Sequence, residues 1–72
     1  MRTMRRTLTP REIEIVTMVG KGLHNKQIAE RLFISEGTIK VHLHRIFEKL
    51  NIDSRISLAH YAFDKGLFPL SP

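Results

Sequence analysis

Three residues, Phe33, Ile34 and Ser35, separate two stretches whose apolar side chains recur at helical spacing. Nothing else limits the fold so tightly, because two helices joined by about three residues must pack against each other at once, as a helix-turn-helix unit. The second stretch, SEGTIKVHLHRIFEKL over residues 35–50, places Ile39, Leu43, Ile46 and Leu50 in one narrow stripe when wound at about 100° per residue. That stripe requires a core. Ser35 is positioned to cap the helix, and Glu36 suits the positive end of its dipole. Val41 falls on the opposite face beside Lys40, His44, Arg45 and Glu48, where a soluble protein gains nothing from an exposed β-branched residue.

The remaining segments read as three further helices. LTPREIEIV opens the first: Thr9 is the N-cap, Pro10 fits the first helical position, and Glu12 closes a capping box, with Leu8 placed to staple onto Ile13. Ile13, Val16 and Val19 are expected to face inward with Ile15 and Met18 flanking, until Gly20 and Gly22 end the helix. The second helix is expected to start at Asn25 as N-cap and to bury Ile28, Ala29 and Leu32. The fourth should run from about residue 55 to residue 65, stopped by Gly66, with Ile56, Ala59, Ala62 and Phe63 inward and Leu58 and Tyr61 elsewhere. Leu67 and Phe68 are expected to fold back before Pro69. The fold class is all-α, a four-helix bundle containing a helix-turn-helix.

With 72 residues the chain is one domain, burying only about 60% of the surface its unfolded form exposes. Residues 1–7 read as a flexible basic tail or the stub of a linker, residues 8–68 as the folded domain and residues 69–72 as a tail. Without cysteine there is no disulfide, thiolate metal site or cysteine nucleophile. No apolar run approaches the ~20 residues that span a bilayer, and MRTMRR lacks the apolar core of a signal peptide, so the expected compartment is the cytoplasm, with no membrane partner. Twelve Lys+Arg against seven Asp+Glu give a net charge of +5, which favours polyanions, nucleic acid first.

A recognition helix in a DNA major groove needs an apolar stripe fixing it to its domain, cations for phosphates and base-reaching side chains on the far face. Residues 35–50 supply all three. Val41 matches the C5-methyl of thymine, Lys40 can reach guanine O6 and N7 or a phosphate, and His44, one turn on, can donate to or accept from a base edge. Arg45 sits further round and suits a phosphate, whereas Glu48 would repel one and belongs at the groove's edge or against a basic neighbour. Taken singly, Lys40 and Arg45 would read as a solvated face and Val41 as a chance exposure or part of a protein interface. Their coincidence behind a helix-turn-helix favours DNA.

Other chemistries find little support. His42 and His44 project about 200° apart on one helix, and neither they nor His24 and His60 come with a thiolate or clustered carboxylates, so no metal site is expected. Ser35, Thr38 and Ser57 lack a visible base and orienter, and Gly20 and Gly22 terminate a helix and do not cradle a phosphate. No enzyme activity and no cofactor are expected.

LTPRE at the first helix, GLHNKQIAERL through the second, SEGTIKVHLHRIFEKL through the third and SR opening the fourth together resemble the LuxR-type (NarL/FixJ, GerE-like) helix-turn-helix domain of bacterial transcription regulators, over residues 8–67. The resemblance implies that the third helix, residues 36–50, enters the major groove, with Lys40, Val41 and His44 on bases and Lys26, Ser35, Thr38, Arg45 and Lys49 near the backbone. It also implies a homodimer on a pseudo-palindromic promoter site, paired through the fourth helix at Leu58 and Tyr61, and contact with RNA polymerase. Such domains usually follow a phosphorylatable receiver or a ligand-sensing domain, as in two-component response regulators, and some stand alone.

Two rival readings share the scaffold. One is a protein-interaction module presenting Val41, Leu58 and Tyr61. The other is the promoter-recognition domain of a sigma factor, which has a similar LTPRE entry but fits GLHNKQIAERLFIS and IKVHLHRIFEKL less well.

Overall fold

A computed structural model describes residues 7–67, and among them the chain forms four α-helices and no strand: α1 (Pro10–Gly20), α2 (Asn25–Leu32), α3 (Glu36–Leu50) and α4 (Arg55–Asp64). The all-α, four-helix architecture is the expected one. MRTMRR and Phe68 with the tail beyond it lie outside the described residues. α1 packs chiefly on α4 and α2 on α3, while α3 also reaches α1.

Local chemistry sets each start. Thr9 Oγ1 accepts from the Glu12 N–H at 3.1 Å and Glu12 Oε1 accepts from the Thr9 N–H at 2.8 Å, completing the box that opens α1. Ser35 and Ser54 open α3 and α4 by accepting from the N–H groups of Thr38 and Ser57, each at 3.1 Å. α2 differs from expectation. Its N-cap is His24, whose backbone N–H is taken by Gln27 Oε1 at 2.8 Å, and Asn25 is already helical, which frees its side chain for another partner.

All four ends close alike. A residue of positive φ (Gly22, Phe33, Asn51, Gly66) is followed by an apolar residue (Leu23, Ile34, Ile52, Leu67) whose N–H reaches the carbonyl five positions back at 3.0 to 3.1 Å. Each of these apolar residues packs on the core. Only two of the left-handed positions are glycine. Phe33, itself 93% exposed, adopts φ 59°, an unfavourable conformation for a bulky side chain.

The core gathers Leu8, Ile15, Val16 and Val19 with Ile28, Ala29, Ile39, Leu43, Ile46, Leu58 and Ala62. Two helix faces differ from the sequence expectation. In α1 the inward set is Glu12, Ile15, Val16 and Val19, so Ile13 is exposed, while Leu8 is buried in the core. In α4 Leu58 and Ala62 point inward, whereas Ile56 is 71% exposed and Phe63 is exposed with it. In both helices the inward stripe includes a charged residue, Glu12 or the half-buried Arg55, which hides the true face from a purely apolar pattern.

Glu12 is buried because it has a partner: Lys49 Nζ on α3 lies 2.7 Å from its Oε1. Burial alone would push the Glu12 carboxyl up, but the Lys49 ammonium and the Thr9 N–H outweigh it and hold the carboxyl below its ordinary range. The stability this gives is complete above the unfolded glutamate value of about 4.3 and is lost as pH falls through the lower folded value. Urea midpoints should therefore drop below about pH 4.3, and Glu12→Gln should flatten that part of the acid limb. Lys49→Met, which strands the buried carboxylate, is expected to cost about 1–3 kcal/mol at neutral pH, read from the same titrations.

Candidate nucleic-acid interface

α3 is held from one side only. Ile39 and Ile46 are fully buried and Leu43 nearly so, with Phe47 and Leu50 half-buried beside them. Val41 lies diametrically opposite and is 51% exposed. Around it the exposed face carries Lys40 and His44 to one side and Arg45 and Thr38 to the other. At about 100° per residue Lys40, His44 and Val41 span roughly a 100° arc with His44 between the other two. The structure thus brings the three expected base-facing residues onto one open surface.

The N-terminal turn of α3 adds neutral polar groups. Ser35 Oγ and Thr38 Oγ1 lie 3.0 Å apart, and both residues are exposed, next to the first-turn N–H groups at the positive end of the helix dipole. Lys26 is exposed one residue into α2. Glu48, expected at an edge or against a basic neighbour, has its Oε2 at 3.4 Å from His44 Nε2, so the acid sits against the imidazole. A cleft lined by Asn25, Lys40, Leu43, His44, Phe47, Asp53, Ser54 and Arg55 borders the open face where α3 meets the starts of α2 and α4.

Two expected site residues are placed elsewhere. Lys49 is paired with Glu12 and lies 3.4 Å from the Thr7 carbonyl, so its ammonium faces α1 and not the open face around Val41. Leu58 is 0% exposed: it lies between α4 and the core, and no second molecule can touch it without unfolding the first. Tyr61 is half-buried, with Lys65 Nζ 5.7 Å from its ring centroid. The outer face of α4 instead carries Ile56, Ala59 and Phe63 at helical spacing.

Arg55, which in the sequence is only part of the SR dipeptide opening the fourth helix, lines the cleft and donates from Nη1 to Asn25 Oδ1 and from Nη2 to the Leu23 carbonyl, both at 2.8 Å. Its signal in the sequence was a cation in the first turn of a helix, where the dipole disfavours it. Among the described residues no three His, Cys, Asp or Glu side chains are grouped to hold a metal ion, and no helix is long and apolar enough to cross a membrane.

Comparison with known proteins gives this geometry a family. Residues 6–62 match the bacterial regulatory proteins of the luxR family. The oxygen regulatory protein NreC of Staphylococcus carnosus is 45% identical over 62 residues, 86% of this chain and 29% of that protein. The nitrate/nitrite response regulator protein NarL of Escherichia coli is 41% identical over 61 residues, 85% of this chain and 28% of that protein. The crystal structure of the response regulator ChrA of a heme-sensing two-component system superposes with a TM-score of 0.81 at 42% identity, covering 92% of this chain and 33% of that one. The chain thus spans less than a third of these curated relatives and a third of the solved one. A match over most of its length, a shared four-helix fold and the open third helix agree: the chain belongs to the luxR family of bacterial regulatory proteins, a family of transcription regulators and not of enzymes.

Proposed function

We propose that the chain is the sequence-specific, double-stranded DNA-binding part of a bacterial transcription regulator, with α3 in the major groove. The observation that carries this reading is the two-sidedness of α3: one stripe buried, the opposite face open and bearing Lys40, Val41 and His44 together. Lys40 and His44 address base edges and Val41 a thymine methyl, while Lys26, Ser35, Thr38 and Arg45 meet the sugar-phosphate backbone. Two copies pair through α4 on a pseudo-palindromic promoter site, on the exposed face that carries Ile56 and Phe63, with the half-buried Tyr61 on the flank of the helix and Leu58 buried beneath. Half-sites lie about one helical turn, ~10 bp, apart or at a near multiple. The bound dimer acts in the cytoplasm on RNA polymerase, as the output domain of a response regulator or as a stand-alone regulator of this family.

Fluorescence anisotropy against a panel of duplexes at several salt concentrations tests the reading. With the four backbone residues engaged, two of them cations, log K should fall against log salt with a slope of about −2 or steeper per copy, since each neutralised phosphate contributes about −0.9 and the helix turn and neighbouring cations add to it. One duplex sequence should stand clear of the others. A flat salt dependence with no preference among sequences, or binding that strengthens at high salt, would instead support an apolar protein-interaction surface.

A further inference from the structure

Arg55 is costly where it stands. As the first residue of α4 it opposes the helix dipole, and it does not cap the helix, a task done by Ser54. Asn25 is similar: the first residue of α2, with His24 and Gln27 managing that helix start. The two meet across the fold. The Arg55 guanidinium donates to Asn25 Oδ1 and to the Leu23 carbonyl, both at 2.8 Å, the short distance of charge-assisted bonds. α2 otherwise packs mainly on α3, and α4 on α1, so this fork links two helices that have little packing in common.

What the fork holds is the beginning of α2, and the next residue along is Lys26. Arg55 and Asn25 both line the cleft shared by Lys40 and His44, which puts the tie between the start of α2 and the Lys40 edge of α3. A planar fork aimed at two acceptors fixes both distance and orientation, and a lysine, a point charge on a flexible stem, cannot reproduce it.

We propose that Arg55 is a positioning residue for DNA binding: through Asn25 and the Leu23 carbonyl it fixes the start of α2, so that Lys26 meets a phosphate while Lys40 and His44 occupy the groove. The inference rests on the DNA-binding reading above. Arg55 acts through Lys26 and touches no nucleotide itself.

Arg55→Lys tests it at constant net charge. Far-UV CD melts first establish that each variant is folded at the assay temperature, and anisotropy salt titrations on the preferred duplex and a scrambled one follow. Arg55→Lys should bind both duplexes about five- to tenfold more weakly. Its salt slope should be shallower by about 0.9, although no charge has been removed, because the Lys26 phosphate contact is lost. Lys26→Ala should show the same slope change, and Arg55→Lys combined with Lys26→Ala should lower the slope no further than either alone. Asn25→Ala, which deletes one acceptor and leaves Arg55 in place, should move affinity and slope in the same direction by less. An Arg55→Lys protein with the wild-type slope, or a double variant whose slope loss is the sum of the two, overturns the proposal. So does Asn25→Ala binding like wild type. Failure of the underlying reading is distinguishable, since it appears in the unsubstituted protein as an absence of duplex preference before any variant is compared.

Discussion

Ile46→Ala is expected to lose about 2–5 kcal/mol of folding stability, because Ile46 is fully buried and its removal leaves a cavity where α3 meets the core. A chain of this length holds only about 4–11 kcal/mol in all, so the variant should have a substantial unfolded population at room temperature. Urea unfolding followed by far-UV CD would show it as a midpoint lowered by about 2 M or more. Val41→Ala, five residues away and on the opposite side of the same helix, should change stability by no more than about 0.5 kcal/mol. Equal effects from the two would mean that α3 is not anchored on one side, and its open face would lose its meaning.

Lys40→Ala reverses that contrast. It should leave the unfolding midpoint close to wild type, since Lys40 is exposed, but reduce affinity for the preferred duplex by about 10- to 100-fold, the size expected when a base contact is deleted. Affinity for a scrambled duplex should fall less, because only a general electrostatic contribution is lost there. Competition anisotropy at one fixed salt concentration separates the two losses. If both duplexes weaken equally, Lys40 neutralises a phosphate and the sequence is read by Val41 and His44.

The sequence carried most of the frame and part of the surface. Thr9, Pro10 and Glu12 mark the start of α1, Ser35 that of α3, and the apolar spacing of Ile39, Leu43 and Ile46 the buried side of α3, because each signal is local. The errors share a cause. Glu12 and Arg55 occupy inward stripes as charged residues, tolerated because Lys49 answers one and Asn25 with the Leu23 carbonyl answers the other. Those partners lie 37 and 30 or more positions away, beyond any periodicity within a helix. Leu58 reads as outward because Ile56, Ala59, Ala62 and Phe63 offer a rival apolar stripe along the same helix, and only the tertiary fold, with Arg55 half-buried beside the core, selects the stripe that holds Leu58. Asn25 passes for a cap for the same reason: the sequence shows its preference for helix starts but not the guanidinium that claims its side chain.

The four matching helix ends have a mechanical consequence. Each of the three connections among the described residues is pinned by an apolar residue packed on the core directly after the reversal, which leaves no loose joint between the helices. On the proposed reading, the angle between α2 and α3 is already set in the folded chain, and little ordering entropy would be left to be spent on meeting a rigid duplex. A sensing apparatus coupled to a unit built this way would act most directly by moving it, covering it or bringing two together, since the pinned helix ends offer few places to reshape it.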